Sequence, residues 1–424
     1  MRRAAVLRAL TCGLAATLAF IVTGLGQHGI AAAQGQPLPQ PKPHNCQNTG
    51  TFDGWLRDFR REAAAAGVTQ NTLSAVLDDM TLDPGIIARD RRQTFFGQSF
   101  FEFRGKLISR NRITNGLRQL EKHRATFVRA EKEYGVPGPV IAGFWALESD
   151  FGAGMGKLSV LRSLATLAYD CRRGEMFTRE FIAALKIIDR GDLRPADMIG
   201  SWAGELGQTQ FLPTHYLAHA VDYDGDGRRD LFVSPADVIG STAAYLKHIG
   251  WRANEPWLEE VRAPRNLNWA EADLTIQHPR SQWAKWGVTR GDGKPVAADE
   301  LPASLLALMG RDGPLFLVYP NFRIYLEWNH SLNYATTVAY LATRYAGASE
   351  MRDVGKDIPS LTLDQAKELQ TLLNRQGHDV GRIDGIVGAG TRAAVKKEQL
   401  RLGLIPDAYP TEELVQQLRS ARAR

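Results

Sequence analysis

An acid sits inside the most aromatic, apolar stretch of the chain: Phe144-Trp145-Ala146-Leu147-Glu148-Ser149-Asp150-Phe151-Gly152. Taking a carboxylate out of water is costly unless a partner or a function compensates, so this segment demands a fold that builds a special environment around one side chain. Pro139 suits a first helical position and Gly152, Gly154 and Gly156 suit a stop, which predicts a short helix with Glu148 in its third turn. Phe144, Trp145 and Phe151, at i−4, i−3 and i+3, share its face and strip water from it, raising the carboxyl pKa. An acid kept protonated near neutral pH can donate to a leaving oxygen. The structural alternatives are a Glu paired with a core Arg and a Glu turned to the helix surface. Asp150 is rotated by about 200° from Glu148 and cannot assist from the same face. A glycoside-cleaving site here would need its second carboxylate from elsewhere, or none.

The 424 residues exceed one compact core and predict two or three domains. Arg2, Arg3 and Arg8 precede an apolar run from Leu14 to Leu25, followed by Ala31-Ala32-Ala33. That is the pattern of a removed signal peptide over residues 1–33. No later apolar run approaches the roughly 20 residues of a membrane span. Cys12 lies before most of the apolar run, a poor context for lipid attachment, so an unanchored exported protein is expected. Cys46 and Cys171 are then two thiols in a compartment that permits disulfides, and their pairing is expected, with two free buried thiols as the alternative. The formal net charge is +6, and loss of the three leader arginines leaves +3. Such a weak balance is compatible with an anionic polymer, and no concentrated basic stripe argues for nucleic acid.

Pro37, Pro39, Pro41 and Pro43 mark residues 34–45 as an extended linker. Helical periodicity begins with Phe52, Trp55, Leu56 and Phe59. It recurs over Leu117–Tyr134, Val140–Asp150, Leu158–Tyr169, Phe177–Ile188, Val238–Ile249 and Tyr334–Tyr345. Between Trp257 and Tyr325 shorter segments take over, and Leu315–Tyr325 reads as strand. The expected fold class is mainly α (α+β), a unit over residues 46–348 with a small β-containing insert. Residues 349–360 read as a linker. Beyond them, Thr362-Leu363-Asp364-Gln365 fits a capping box opening an amphipathic helix, and a Gly-rich turn from Gly377 to Gly388 precedes a second helix near Thr391.

Two family resemblances rest on these motifs. Residues 361–424 resemble the three-helix peptidoglycan-binding module, through Leu369-x-x-Leu372-Leu373-Asn374, Gly377-x-Asp379-x-Gly381-x-Ile383-Asp384-Gly385-x-x-Gly388, and Thr391-x-x-Ala394-Val395 with Gln399. Residues 46–348 resemble the membrane-bound lytic transglycosylase B family of lysozyme-like enzymes. The matching segments are the Glu148 run, Met155-Gly156-Lys157, Ser201-Trp202-Ala203-Gly204, Gly207-Gln208-Thr209-Gln210-Phe211-Leu212-Pro213, the Asp-Gly loop from Asp222, and Trp328-Asn329-His330-Ser331.

The second resemblance implies cleavage of the β-1,4 bond between N-acetylmuramic acid and N-acetylglucosamine, with Glu148 as the single acid and base and a 1,6-anhydromuramoyl product. It implies no cofactor for catalysis, and peptidoglycan strands as partner. By the same resemblance Ser201 and Gln210 hydrogen-bond the sugar and position the acid, while Tyr245, Asn329 and Tyr334 line the cleft. Phe103 falls where some relatives have Tyr beside the acid, and Trp328 likewise replaces Tyr in some, retaining an aromatic face. Competing readings are a muramidase that hydrolyses the same bond and an inactive wall-binding scaffold.

Asp222-Tyr223-Asp224-Gly225-Asp226-Gly227-Arg228-Arg229-Asp230 has the first half of an EF-hand loop: acids at positions 1, 3, 5 and 9, Gly at 6, and the Arg228 carbonyl at 7. Position 12 is Val233, where a bidentate Glu would close the shell. The family resemblance assigns the closing acid to Asp237, and implies a structural Ca2+ rather than a catalytic one. A solvated acidic turn is the alternative.

Overall fold

The computed structural model describes Lys42 and residues 45–91, 98–354 and 357–420. Residues 40–424 form one compact unit. The signal peptide and most of the proline-rich linker expected from the sequence lie outside the described residues.

Among the described residues, eleven helices build the part of this unit that precedes the insert. They are α1 Phe52–Ala65, α2 Gln70–Leu77, α3 Pro84–Arg91, α4 Phe100–Leu107, α5 Arg110–Lys122, α6 Arg124–Tyr134, α7 Gly138–Ser149, α8 Val160–Tyr169, α9 Gly174–Asp189, α10 Pro213–His219 and α11 Pro235–His248. The fold is mainly α, with a lysozyme-like helical body and a small sheet. Its centre is α7, in which Val140, Ile141, Ala142, Phe144, Trp145 and Ala146 are all buried. A helix apolar on every side has to be enclosed by others. It packs against α5, α6 and α11 and against a later helix, Leu332–Tyr345.

Two boundaries differ from the sequence expectation. The periodic stretch Leu117–Tyr134 is two helices, because His123 ends α5 with φ −108° and ψ 23° and α6 restarts beyond it. The Glu148 helix stops before its glycines: Asp150 and Phe151 adopt left-handed φ values of 51° and 59°. Asp150 is held there by Arg112, whose Nε donates to its carboxylate at 3.0 Å, so a salt bridge enforces a turn that glycine usually supplies.

Residues 258–318 carry the insert, a five-stranded antiparallel sheet. With β1 Leu158–Ser159 and β2 Ile199–Gly200 forming a separate pair, the insert holds β3 Leu258–Arg262, β4 His278–Pro279, β5 Thr289–Arg290, β6 Pro302–Ala307 and β7 Leu315–Val318, in the order β4-β6-β7-β3-β5. Helix α12, Arg280–Lys285, belongs to it. Trp269, Trp283, Leu305 and Leu317 are among the side chains of its separate core. The predicted strand Leu315–Tyr325 ends at Val318. Pro320 cannot extend a ladder, Asn321 is fully occupied by the backbone of Arg252 and Glu255, and the chain turns into α13, Phe322–Trp328. Helix α14, Leu332–Tyr345, follows and returns across α7.

The C-terminal module is three helices, α15 Leu363–Arg375, α16 Ala389–Arg401 and α17 Glu412–Ser420, around Leu369, Leu373, Val395 and Leu414. The capping box read from the sequence is present at Thr362 and Gln365. The module is docked on the insert. Arg392 donates to the Leu308 and Ala307 carbonyls at 3.0 and 2.5 Å, Lys396 Nζ lies 2.9 Å from Asp273, and Asp407 accepts the Arg311 N–H at 3.0 Å. The connecting segment is also held: the Met351 N–H donates to the Tyr340 hydroxyl, and Arg352 pairs with Glu260 at 3.2 Å.

Cys46 and Cys171 are joined, with Cα atoms 6.1 Å apart, tying the start of the helical body to the loop between α8 and α9. Gly116 allows α5 to approach α14: a Cβ there would lie 2.1 Å from the Tyr345 ring. Alanine would gain up to about 1 kcal/mol of helix propensity, but overpacking against a buried ring costs about 1–3 kcal/mol. Gly116→Ala should therefore lower the thermal unfolding midpoint; an unchanged or higher midpoint would refute this account of the α5–α14 contact.

Candidate active site

Glu148 leaves the last turn of α7 and meets two donors brought by separate elements. Trp328 Nε1, at the end of α13, donates to Glu148 Oε1 at 2.7 Å. The Tyr334 hydroxyl, in the first turn of α14, donates to the same oxygen. Both donors therefore converge on Oε1, and in the neutral acid the proton belongs on Oε2, the oxygen left free for a reacting atom. Burial pushes the Glu148 carboxyl up to about 7; the Tyr334 and Trp328 hydrogen bonds oppose the shift, and the negative charge of Glu205 reinforces it. Burial, together with the charge of Glu148, also holds the Tyr334 hydroxyl well above its ordinary range, so it remains a donor. The group thus straddles neutrality, where one carboxyl can both give and take a proton.

The donors are fixed by packing. Trp328 lies against Phe144 at 4.3 Å between ring centroids, and against Phe211 and Tyr245 at 5.5 Å each. On the other side of α7, Trp145 Nε1 donates to Gln208 Oε1 at 2.8 Å, and Ser149 Oγ donates to the Gln208 carbonyl at 2.7 Å. Gln208 Nε2 in turn donates to the Phe232 carbonyl. This strut fixes the rotation of the helix that carries the acid.

The sequence-predicted residues divide by position. Trp328 and Tyr334 touch Glu148, and the Trp328 indole supplies a hydrogen bond as well as a ring. Tyr245 is buried one ring away. Ser201 Oγ donates to Glu205 Oε2 at 2.9 Å rather than to Glu148. Gln210 takes a left-handed φ of 50°, and its side chain bonds the Gly207 carbonyl. Asn329 is exposed and accepts the Ser331 N–H. Phe103 lines a cavity of about 510 Å3 bounded by α4, the segment before α14, the insert and the C-terminal module. Of the aromatics expected to shield Glu148 from its own helix, Phe144 acts through Trp328, while Trp145 and Phe151 pack edge to face on each other at 5.1 Å. Gln208 lies within the Gly207–Pro213 run but carried no role there, and Glu205 falls between that run and Ser201–Gly204.

In the Asp-Gly loop, the carboxylates of Asp222, Asp224 and Asp237 lie within 4.8 Å of one another. Asp226 and Asp230 stand outside this trio, turned to local backbone: Asp226 accepts the Arg228 N–H, and Asp230 accepts those of Phe232 and Val233. Asp237 is fully buried, and burial raises its pKa although the N–H groups of Asp230, Tyr223 and Asp224 pull it back. A buried carboxylate with two acidic neighbours offers the hard oxygen donors that suit Ca2+, so these residues fit such an ion.

The helical body, with its half-buried acid under two donors, and the three-helix module joined to it each match a known family. Residues 51–343 match the Transglycosylase SLT domain family, and the chain belongs to that family. Residues 362–418 match a peptidoglycan binding domain. Among its relatives is the membrane-bound lytic murein transglycosylase B of Escherichia coli K12, 33% identical over 252 residues, covering 58% of this chain and 68% of that protein. The fold superimposes on SltB3 of Pseudomonas aeruginosa, solved with NAG-anhNAM-pentapeptide, with a TM-score of 0.82 and 39% identity over 88% of this chain and all of that one. Escherichia coli Slt35, solved in complex with calcium, matches with a TM-score of 0.58 and 29% identity over 69% of this chain and 92% of that one.

The raised pKa carries a stability consequence. A carboxyl whose folded pKa is about 7 against 4.5 contributes stability in acid that is lost as pH rises through 7. The Glu148→Gln variant lacks that loss. Between pH 4.5 and 7 wild type should lose on the order of 1–3 kcal/mol relative to the variant, read as a gap between their denaturant midpoints that shifts in the variant's favour; parallel curves would reject the shifted pKa.

Proposed function

We propose that this lytic transglycosylase cleaves the β-1,4 bond between N-acetylmuramic acid and N-acetylglucosamine in peptidoglycan, with Glu148 as its single acid and base. The observation that carries this reading is the pair of donors on Glu148 Oε1, which leaves Oε2 with the mobile proton. Glu148 Oε2–H protonates the glycosidic oxygen as the bond to C1 breaks and the N-acetylglucosamine end departs as an alcohol. The carboxylate so formed then takes the proton of the muramoyl 6-hydroxyl, whose oxygen bonds to C1 and closes a 1,6-anhydro ring. The acid is regenerated and no water is consumed. The Trp328 and Tyr334 donors stabilise the intermediate carboxylate, and a charge-assisted hydrogen bond contributes about 1.5–3 kcal/mol. The anhydro sugar bound to SltB3 supports the same product here.

The experiment is digestion of wall sacculi followed by mass spectrometry. Wild type should release anhydromuramoyl ends, one water lighter than reducing ends, and Glu148→Gln should lose at least about 100-fold in rate while retaining sacculus binding. Reducing ends alone would make the enzyme a muramidase, and normal cleavage by Glu148→Gln would remove the acid from its role.

The C-terminal module holds the enzyme on its polymer. We infer export to the periplasm from the leader pattern of residues 1–33. Among the described residues no helix is long and apolar enough to cross a membrane. Asp222, Asp224 and Asp237 hold a structural Ca2+, whose positive charge offsets a buried carboxylate; the proton transfers involve only Glu148. Millimolar Ca2+ should raise the melting temperature of the mature protein and chelator should reverse this, with no change in either direction counting against the site.

A further inference from the structure

Gln208 is buried, and each of its four polar groups holds a different neighbour. Towards α7, its side-chain oxygen accepts the Trp145 indole N–H at 2.8 Å, and its carbonyl accepts the Ser149 hydroxyl at 2.7 Å. Trp145 stands three residues before Glu148 and Ser149 one after it, so these bonds bracket the acid on its own helix. Gly152 makes room for them: a Cβ there would lie 2.7 Å from Gln208 Oε1. In the other direction, the Gln208 N–H donates to the Leu231 carbonyl and its Nε2 to the Phe232 carbonyl, both at 2.8 Å. Gly207 permits that approach, since a Cβ at its φ of 63° would lie 2.6 Å from the Leu231 oxygen.

Leu231 and Phe232 are the exit of the Asp-Gly loop. Just before them, the Asp230 N–H donates to one Asp237 oxygen at 2.7 Å. The other Asp237 oxygen accepts the Tyr223 and Asp224 N–H groups, at the loop entry, at 2.7 and 3.3 Å. Asp230 itself accepts the Phe232 and Val233 N–H groups at 2.9 and 3.1 Å. Asp237 thus fastens entry to exit, and the exit is fastened to Gln208. An amide present only to satisfy the Trp145 indole would need one bond. Four bonds shared between two elements, all withdrawn from water, couple the placement of one element to that of the other.

We propose that Gln208 is a positioning residue for the reaction, the link through which closure of the Asp222–Asp237 loop sets the orientation of Glu148. It touches no substrate and moves no proton. The proposal rests on the reading of Glu148 as the acid and base. Trp328 and Tyr334 hold the carboxyl oxygen itself, and Gln208 holds the helix on either side of it. A misplacement of about 1 Å at a reacting group costs on the order of 100-fold in rate, so the link should be read in kcat before KM.

Two substitutions break the link at separate points. Gln208→Met keeps the side chain's length and removes its bonds in both directions. Asp237→Asn exchanges one accepting oxygen for an amino group and loosens the loop. Each should lower kcat on soluble glycan strands about tenfold, with KM within about twofold of wild type. The double variant should fall no further than the worse single one, whereas independent defects would multiply to about 100-fold. The Trp145 indole N–H, assigned by its loss in Trp145→Phe, gives a readout apart from turnover: its hydrogen exchange should quicken at least about tenfold in Asp237→Asn as well as in Gln208→Met. Multiplying losses, a wild-type kcat in Gln208→Met, or unchanged indole exchange in Asp237→Asn overturns the proposal. Should Asp237→Asn fail to fold by thermal melting, Ser234→Ala takes its place, freeing the Asp224 carboxylate and the Asp237 N–H within the same loop. Turnover by Glu148→Gln would instead defeat the underlying acid assignment.

Discussion

Two hydrogen bonds on one oxygen organise this molecule. For Trp328 and Tyr334 to reach Glu148 Oε1 together, α13 must end and α14 must begin within a few residues of the last turn of α7. That requirement explains the sharp exit from β7 through Pro320 and Asn321, the close α7–α14 crossing with Gly143 against Ala342 and Val338, and the left-handed end of α7 at Asp150. A buried acid is a destabilising element on its own. Here the surrounding fold holds it in the one arrangement where its second oxygen is free.

The helical scaffold and the acid were legible in the sequence because they are written in local signals. The 3.6-residue periodicity, Pro139 and the Thr362 capping box specify their elements without help from distant residues. The end of α7 lies within one residue of the expected one, but the left-handed turn that closes it rests on Arg112 holding Asp150 across 38 residues and not on a glycine. The Leu315–Tyr325 stretch was read as one strand because apolar residues continue past Pro320, and their burial on a helix instead of a sheet depends on tertiary packing. Phe103 came from an ungapped alignment, whereas its setting, on an α4 packed against α14 and beside a cavity shared with the insert and the module, is set by tertiary structure. Glu205 and Gln208 were invisible as functional groups because one is an ordinary acid in a loop and the other an ordinary amide until Ser201 and Trp145 meet them.

The two acidic centres show the same physics put to different ends. At Glu148 burial with neutral donors leaves the carboxyl near neutrality. At Asp237 burial is opposed by three backbone N–H groups, with Asp222 and Asp224 close by, and the arrangement is suited to a cation. The distinction lies in the neighbours, and both sites carry the same costly ingredient.

The docking of the C-terminal module changes what wall binding means for this enzyme. A module on a loose tether raises the number of encounters, and its benefit falls with tether length. Here Arg392, Lys396 and Asp407 clasp the insert, and Arg352 fastens the connecting segment. The module is therefore fixed to the body that carries Glu148, where a flexible linker would leave it free to wander.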